Sequence, residues 1–197
     1  MPYYLGIDGG GSKTTCAVGD ATSLLATASA GPSNVVRVGE ARARESLRQA
    51  VRQACGAAGI GVQQIERVCI GAAGAGRDKT ASLLRKILVE ILNPELAGQV
   101  LSGRIVSQPF LPSQIDLVGD TQIALKAAFG SGPGVIVIAG TGSIAYGRDQ
   151  HGNIARAGGW GFAISDEGSA HWIGRAALSA VLCSMDEGAD SSPPLLH

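Results

Sequence analysis

Asp8-Gly9-Gly10-Gly11-Ser12-Lys13-Thr14 gathers a carboxylate, three glycines, two hydroxyls and an ammonium into one short run. Consecutive glycines let backbone amides converge without side-chain clash, and such a nest binds phosphate oxygens. Ser12, Lys13 and Thr14 can add charged and hydroxyl donors. A second loop, Gly140-Thr141-Gly142-Ser143, repeats the glycine-and-hydroxyl chemistry. Two such loops suit a polyphosphate gripped from two sides. A Walker A loop needs Gly directly before Lys, and then a helix. Here Ser12 precedes Lys13, and an alternating, strand-like segment follows. Gly140 to Ala145 spells the dinucleotide pattern G-x-G-x-x-A, which must open a helix. It runs instead toward Asp149-Gln150-His151-Gly152-Asn153, a hairpin turn. Both of those readings fail on context. A plain glycine-rich turn stays open for either loop.

The elements that must hold these loops are short. Residues 3–8, 13–20 and 24–30 read as three strands of an antiparallel meander. Residues 40–58 space Ala43, Leu47, Ala50, Val51 and Ala54 at helical intervals. A strand at 68–71 and a helix at 79–92 follow, the helix ended by Asn93-Pro94. Residues 115–118 read as a buried strand and 120–129 as a helix. The pattern then restarts, with strands at 134–139, 144–148 and 154–157 and a helix at 167–183. This repetition in architecture predicts two similar α/β domains, 1–131 and 132–197, the second incomplete. The glycines of 71–76 read as close helix–sheet packing. Residues 99–113 read as a loop insertion, and the tail 187–197 as disordered.

Composition narrows the function classes. Sixteen basic and sixteen acidic residues cancel, which argues against a nucleic-acid surface and against a charged membrane surface. A hydrophobic fraction of 45% suffices for a sizeable core. Cys16, Cys55, Cys69 and Cys183 are scattered with no C-x-x-C, so they read as buried reduced thiols rather than metal ligands. His151 falls in a turn. His171 lies beside Trp172, read as core, with no second ligand at metal spacing. No basic leader or long apolar run is present, and a cytoplasmic location is expected.

Taken in order, three motifs carry a resemblance. The run from Asp8 is similar to the phosphate-1 hairpin of the actin-like fold, and Gly140-Thr141-Gly142-Ser143 to phosphate-2. Gly158-Gly159-Trp160-Gly161 followed by Asp166-Glu167-Gly168-Ser169 resembles N-acetylglucosamine kinases and the BadF/BadG/BcrA/BcrD-type ATPases grouped with them. The resemblance implies an actin-like, ribonuclease H-like α/β fold using ATP and Mg2+. By it, Asp8 orders a magnesium ion through water. Gly10, Gly11, Ser12, Lys13 and Thr14, with Gly140, Thr141, Gly142 and Ser143, clamp the phosphates. Asp120 matches the catalytic aspartate, although Gly-Asp-Thr-Gln departs from the more usual Asn-Asp-Ala. Asn34, Gly159, Trp160 and Asp166 match sugar-contacting positions. Asp120 and Asp166 also read as helix N-caps. Trp160, flanked by glycines, is hard to explain as core.

The expected activity is therefore phosphoryl transfer to an amino sugar, with a small-molecule partner and a homodimer as an oligomer it allows. An ATPase activating an electron-transferring partner ranks second, because no cluster cysteines are present. A non-catalytic sugar sensor ranks third, because strand 3–8 leaves no room for a preceding DNA-binding motif. The second half reaches only one helix past phosphate-2. The chain is thus expected to lack an adenine wall, to bind nucleotide weakly alone, and to expose apolar surface along strand 134–139.

Overall fold

Alternation in the first strand decides which face is buried. In β1 (Tyr3–Gly9), Leu5 and Ile7 point inward while Tyr4, Gly6 and Asp8 are exposed. A computed structural model describes residues 2–72, 74–75, 77–94 and 109–186. The chain divides into two units, Met1–Ile123 and Ala124–His197. That division falls inside a helix, ahead of the expected boundary at 131/132.

In the first unit, β1 pairs with β2 (Thr14–Gly19), and β2 with β3 (Leu24–Ala30), both antiparallel. On its other side β1 pairs in parallel with β4 (Ile65–Ala72), and β4 in parallel with β5 (Ile115–Val118). The sheet order is β3-β2-β1-β4-β5. Two long amphipathic helices cover the inward face. Helix α2 (Glu40–Ala57) buries Ala43, Leu47, Ala50, Val51 and Ala54, one stripe at the helical period. Helix α3 (Asp78–Leu92) buries Leu84, Ile87, Leu88 and Ile91. These side chains form one core with Leu5, Ile7, Cys16, Val18, Val68 and Ile70. Arg44 on α2 ties the helices together, 2.7 Å from Glu40 and also bonded to Glu90 of α3.

Asn93 ends α3 and is buried. Its Nδ2 donates to Val89 O (2.8 Å) and Phe110 O (2.9 Å), and its Oδ1 accepts from Phe110 N (2.7 Å). One amide thus ties the end of α3 to Phe110, which lies inside the stretch read as an insertion. Residues 99–108 of that stretch, the tail 187–197, and Ala73 and Gly76 of the glycine run lie outside the described residues.

A one-turn helix, α1 (Val35–Val38), precedes α2 and has no counterpart in the sequence reading. Helix α4 (Asp120–Phe129) follows β5. A Cβ on Gly71 would collide with Ile123, so the close packing expected of that glycine is made against the first turn of α4.

The second unit holds an antiparallel sheet, β6 (Gly134–Ala139), β7 (Ser143–Arg148) and β8 (Ile154–Gly158), followed by α5 (Ala170–Asp186). Asp149 shapes the β7–β8 turn by accepting from the backbones of His151 and Asn153, both at 2.8 Å. Gly152 there has φ +86°, a left-handed conformation that glycine adopts freely. Helix α5 begins three residues later than expected. Ser169 starts it, its Oγ accepting from Trp172 N at 3.1 Å. Asp166 is therefore not the cap of this helix. Among the described residues of α5 none is buried, so Trp172, expected in a core, is 40% exposed. Val135 and Val137 on β6 are exposed as expected, Val137 at 72%.

The cysteines divide. Cys16 and Cys55 are buried, and burial pushes the Cys16 thiol up to about 12, with Cys55 adding to it. Cys69 and Cys183 are exposed, against the reading of four buried thiols.

Candidate functional site

The phosphate-1 hairpin is set by register. Gly9 faces Thr14 across β1 and β2, which leaves Gly10, Gly11, Ser12 and Lys13 as the loop. Gly10 N donates to Lys13 O at 3.0 Å and closes it. A Cβ on Gly10 would lie 2.8 Å from that same oxygen, so a side chain would force the turn open. Ser12 and Lys13 are exposed. Thr14 is not: it is 0% exposed, and its Oγ1 lies 2.8 Å from Gly31 O and 2.7 Å from Ser33 Oγ. Its hydroxyl therefore fastens the hairpin to the segment 31–33.

That fastening brings Asn34 to the loop. Gly10 O accepts from Ser33 N (3.1 Å) and Asn34 N (3.2 Å). The Asn34 Oδ1 accepts from Val36 N (3.1 Å) and Arg37 N (3.3 Å), so this side chain caps α1. Its expected sugar contact would have to come from its remaining amide group. Helix α1 in turn lays Arg37 against the loop: a Cβ on Gly11 would sit 3.2 Å from its Nη1 and 3.7 Å from its Cδ.

Two carboxylates stand at one end of the parallel strands. Asp8 aligns with Gly71, and Gly71 with Val118. Asp120 comes two residues after Val118, as the first residue of α4. Ligands of open α/β sheets collect at this carboxyl edge. Lost hydration and then the charge of Asp120 hold the Asp8 carboxyl above its ordinary range, while Lys13 pulls it down. Asp8 and Asp120 thus share an electrostatic environment, and such a pair favours a bound cation. The Asp120 Oδ1 accepts from Thr121 N at 2.9 Å. Gly119 O accepts from Gln122 N and Ile123 N, so Gly119 makes the helix start and Asp120 is not the N-cap. Among the described residues no group of three or more His, Cys, Asp or Glu side chains is placed to hold a metal. Any cation here would draw most of its ligands from water and from ligand oxygens.

In the second unit, the β6–β7 loop is closed by Gly140 N on Gly142 O at 2.9 Å. Gly140 O accepts from Ala170 N (2.8 Å), and Ser143 Oγ donates to Glu167 O (2.7 Å). These bonds seat the loop on the start of α5. The buried Asp166 carboxylate lies against Gly142, where a Cβ would come within 3.0 Å of Oδ2. Two residues expected to bind different ligands, Gly142 and Asp166, are therefore neighbours. Gly159 has φ +71°, and a Cβ there would press on Ile144 at 2.8 Å. Trp160 is 65% exposed, as a ligand-facing wall would be, with the Arg156 guanidinium 4.0 Å from its ring centroid.

The sequence reading missed Ser33, Arg37 and Arg156. Asn34 before Val-Val-Arg-Val is an N-cap signature, and it could have flagged α1 and with it Arg37.

Comparison with known proteins accords with these motifs. The model of the BadF/BadG/BcrA/BcrD ATPase family matches residues 5–193. The chain is 35% identical over 188 residues to the N-acetylmuramic acid/N-acetylglucosamine kinase of Clostridium acetobutylicum, covering 95% of this chain and 56% of that protein. It is 29% identical over 192 residues to the N-acetyl-D-glucosamine kinase of Dictyostelium discoideum, covering 93% and 55%. The chain thus spans a little over half the length of these curated relatives. A solved structure of a proposed N-acetylglucosamine kinase from Chromobacterium violaceum superposes with TM-score 0.71 at 27% identity, covering 98% of this chain and 61% of that one. The fold alone extends to the ROK hexokinase of Thermus thermophilus, with TM-score 0.55 at 18% identity over 95% and 70% of the two chains. These likenesses bear out the expected α/β sugar-kinase fold. The chain belongs to the BadF/BadG/BcrA/BcrD ATPase family.

Proposed function

We propose that this chain carries the phosphate loops and catalytic aspartate of a kinase that moves the γ-phosphoryl group of Mg-ATP to a hydroxyl of an amino sugar, N-acetylglucosamine or glucosamine. The observation that carries this reading is the placement of Asp8 and Asp120 at one strand edge beside the glycine hairpin. The names of the two curated relatives, both amino-sugar kinases, point to the same substrate class.

The residues fit the group they would hold. Magnesium at phosphate sites takes one or two carboxylates and keeps most of its waters. Asp8 supplies such a carboxylate, and the glycine loop supplies amides for phosphate oxygens. Bound there, Mg-ATP supplies an electrophilic phosphorus and a neutralised leaving group. Asp120 accepts the proton of the attacking hydroxyl, a role one carboxylate can fill because no covalent intermediate is required. Asp166, beside Gly142, accepts bonds from sugar hydroxyls. Trp160 offers an apolar plane to the ring.

A coupled ADP-release assay over N-acetylglucosamine, glucosamine, N-acetylmuramic acid, neutral hexoses and no sugar tests this. Amino-sugar-dependent release that falls roughly a hundredfold or more in Asp120→Asn supports it, that being the usual span for a lost general base. Release indifferent to sugar would favour ATP hydrolysis for a partner. An unaltered rate in Asp120→Asn removes that residue as the base.

A further inference from the structure

The glycine hairpin is approached by a side chain that its motif does not contain, carried on the helical turn that Asn34 caps. Arg37 sits in the single turn of α1, its backbone N on Asn34 O at 3.0 Å and on Asn34 Oδ1 at 3.3 Å. Its Nη1 and Cδ lie over Gly11, where any Cβ would press on the guanidinium at 3.2 Å. The bareness of Gly11 therefore makes room for a cation as well as for a turn. This cation stands on the hairpin that also bears Lys13, and the same sheet edge carries Asp8 and Asp120.

We propose that Arg37 binds the γ-phosphoryl group while it is transferred. This rests on the reading above, in which the hairpin clamps phosphates, and on the resemblance by which Asn34 matches a sugar-contacting position. A group in transit lies between its clamp and its acceptor; the Arg37 guanidinium lies against the clamp at Gly11, and its backbone is fixed by Asn34. In the transfer, the sugar hydroxyl oxygen bonds to the γ-phosphorus. The bond from that phosphorus to the β–γ bridging oxygen breaks, its electron pair leaving on ADP. The hydroxyl proton passes to Asp120. Charge is spread over three equatorial oxygens during this step, and a planar guanidinium can donate to two of them at once. Without it, the incoming phosphoryl group would meet two carboxylates with less positive charge to balance them.

The test is isothermal calorimetry of this chain with Mg-ATP and with Mg-ADP, for wild type, Arg37→Gln and Arg37→Lys. A contact to the γ-phosphoryl group predicts that Arg37→Gln weakens Mg-ATP about tenfold or more, the usual worth of a charge-assisted hydrogen bond, and leaves Mg-ADP within about twofold. Arg37→Lys, which keeps charge but loses the fork, should fall between. Thermal unfolding of each variant guards against misfolding; if the glutamine variant is unfolded, the lysine variant carries the comparison. Equal losses for both nucleotides mean that Arg37 only braces the hairpin, and the proposal is overturned. Unchanged Mg-ATP affinity overturns it too, while the kinase reading survives. No binding of either nucleotide by wild type sinks both.

Discussion

Asp8 is held where a carboxylate would rather be neutral. Its native pKa is raised, so across the window from the ordinary carboxylate value up to the raised one, the folded state binds more protons than the unfolded. Stability from this group is complete below the ordinary value and is lost as pH rises through the native one. Asp8→Asn should therefore be more stable than wild type at pH 7, in urea titrations with a chelator present. The gap should close as pH falls below the ordinary carboxylate value. A variant of equal or lower stability at pH 7 would contradict the assignment. Stored instability of this kind is common where a site must hold charge for function. Asp8 was legible because a lone acid beside three glycines is a local pattern. The bonds of the Thr14 hydroxyl were not, because they reach a segment 17 to 19 residues away. Arg37 was illegible for the same reason: only the fold lays α1 across Gly11.

At the scale of elements, periodicity was informative wherever a helix ran several turns. The stripe on α2 and the alternation in β1 both appear as read. Helix α1 has one turn, too few for any period, and α5 starts late because Gly168, at φ +78°, interrupts the chain and Ser169 after it supplies the cap. Asn93 looked like a plain stop signal beside a proline. Its larger part is the clamp on Phe110, a pairing between residues 17 apart that spacing alone does not announce. Asn93→Ala would leave a buried N–H and carbonyl of Phe110 without partners. Each such group costs roughly 1–3 kcal/mol. The expected result is a loss of at least that order in equilibrium unfolding, without change in nucleotide affinity. A loss below about 0.5 kcal/mol would show that solvent satisfies those groups.

At the scale of the molecule, the two units differ in how well they bury themselves. The first unit has a continuous core under α2 and α3. In the second, Val135, Val137, Phe162, Ile164, Ile173, Leu178 and Leu182 are all exposed. Apolar surface on that scale drives association. This chain should enhance the fluorescence of a hydrophobic dye and self-associate with concentration in sedimentation velocity, and Val137→Lys should reduce both. A monodisperse monomer that leaves the dye dark would refute this. The repeat of meander and glycine loop was readable from turn residues. The position of the division, inside α4, was not, because a helix carries no punctuation at its middle.

The amide clamp of Asn93 has one more consequence, for how such a chain can change over generations. It joins two residues 17 apart in sequence, and the entropy of closing such a contact depends only weakly on the number of residues between them. Doubling a closed loop costs only about 0.6 kcal/mol in entropy, less than a typical hydrogen bond of the clamp contributes. By that scaling, a change in the number of residues between Asn93 and Phe110 shifts the entropy of closing the clamp less than the loss of one of its hydrogen bonds would, so selection can vary the one while keeping the other.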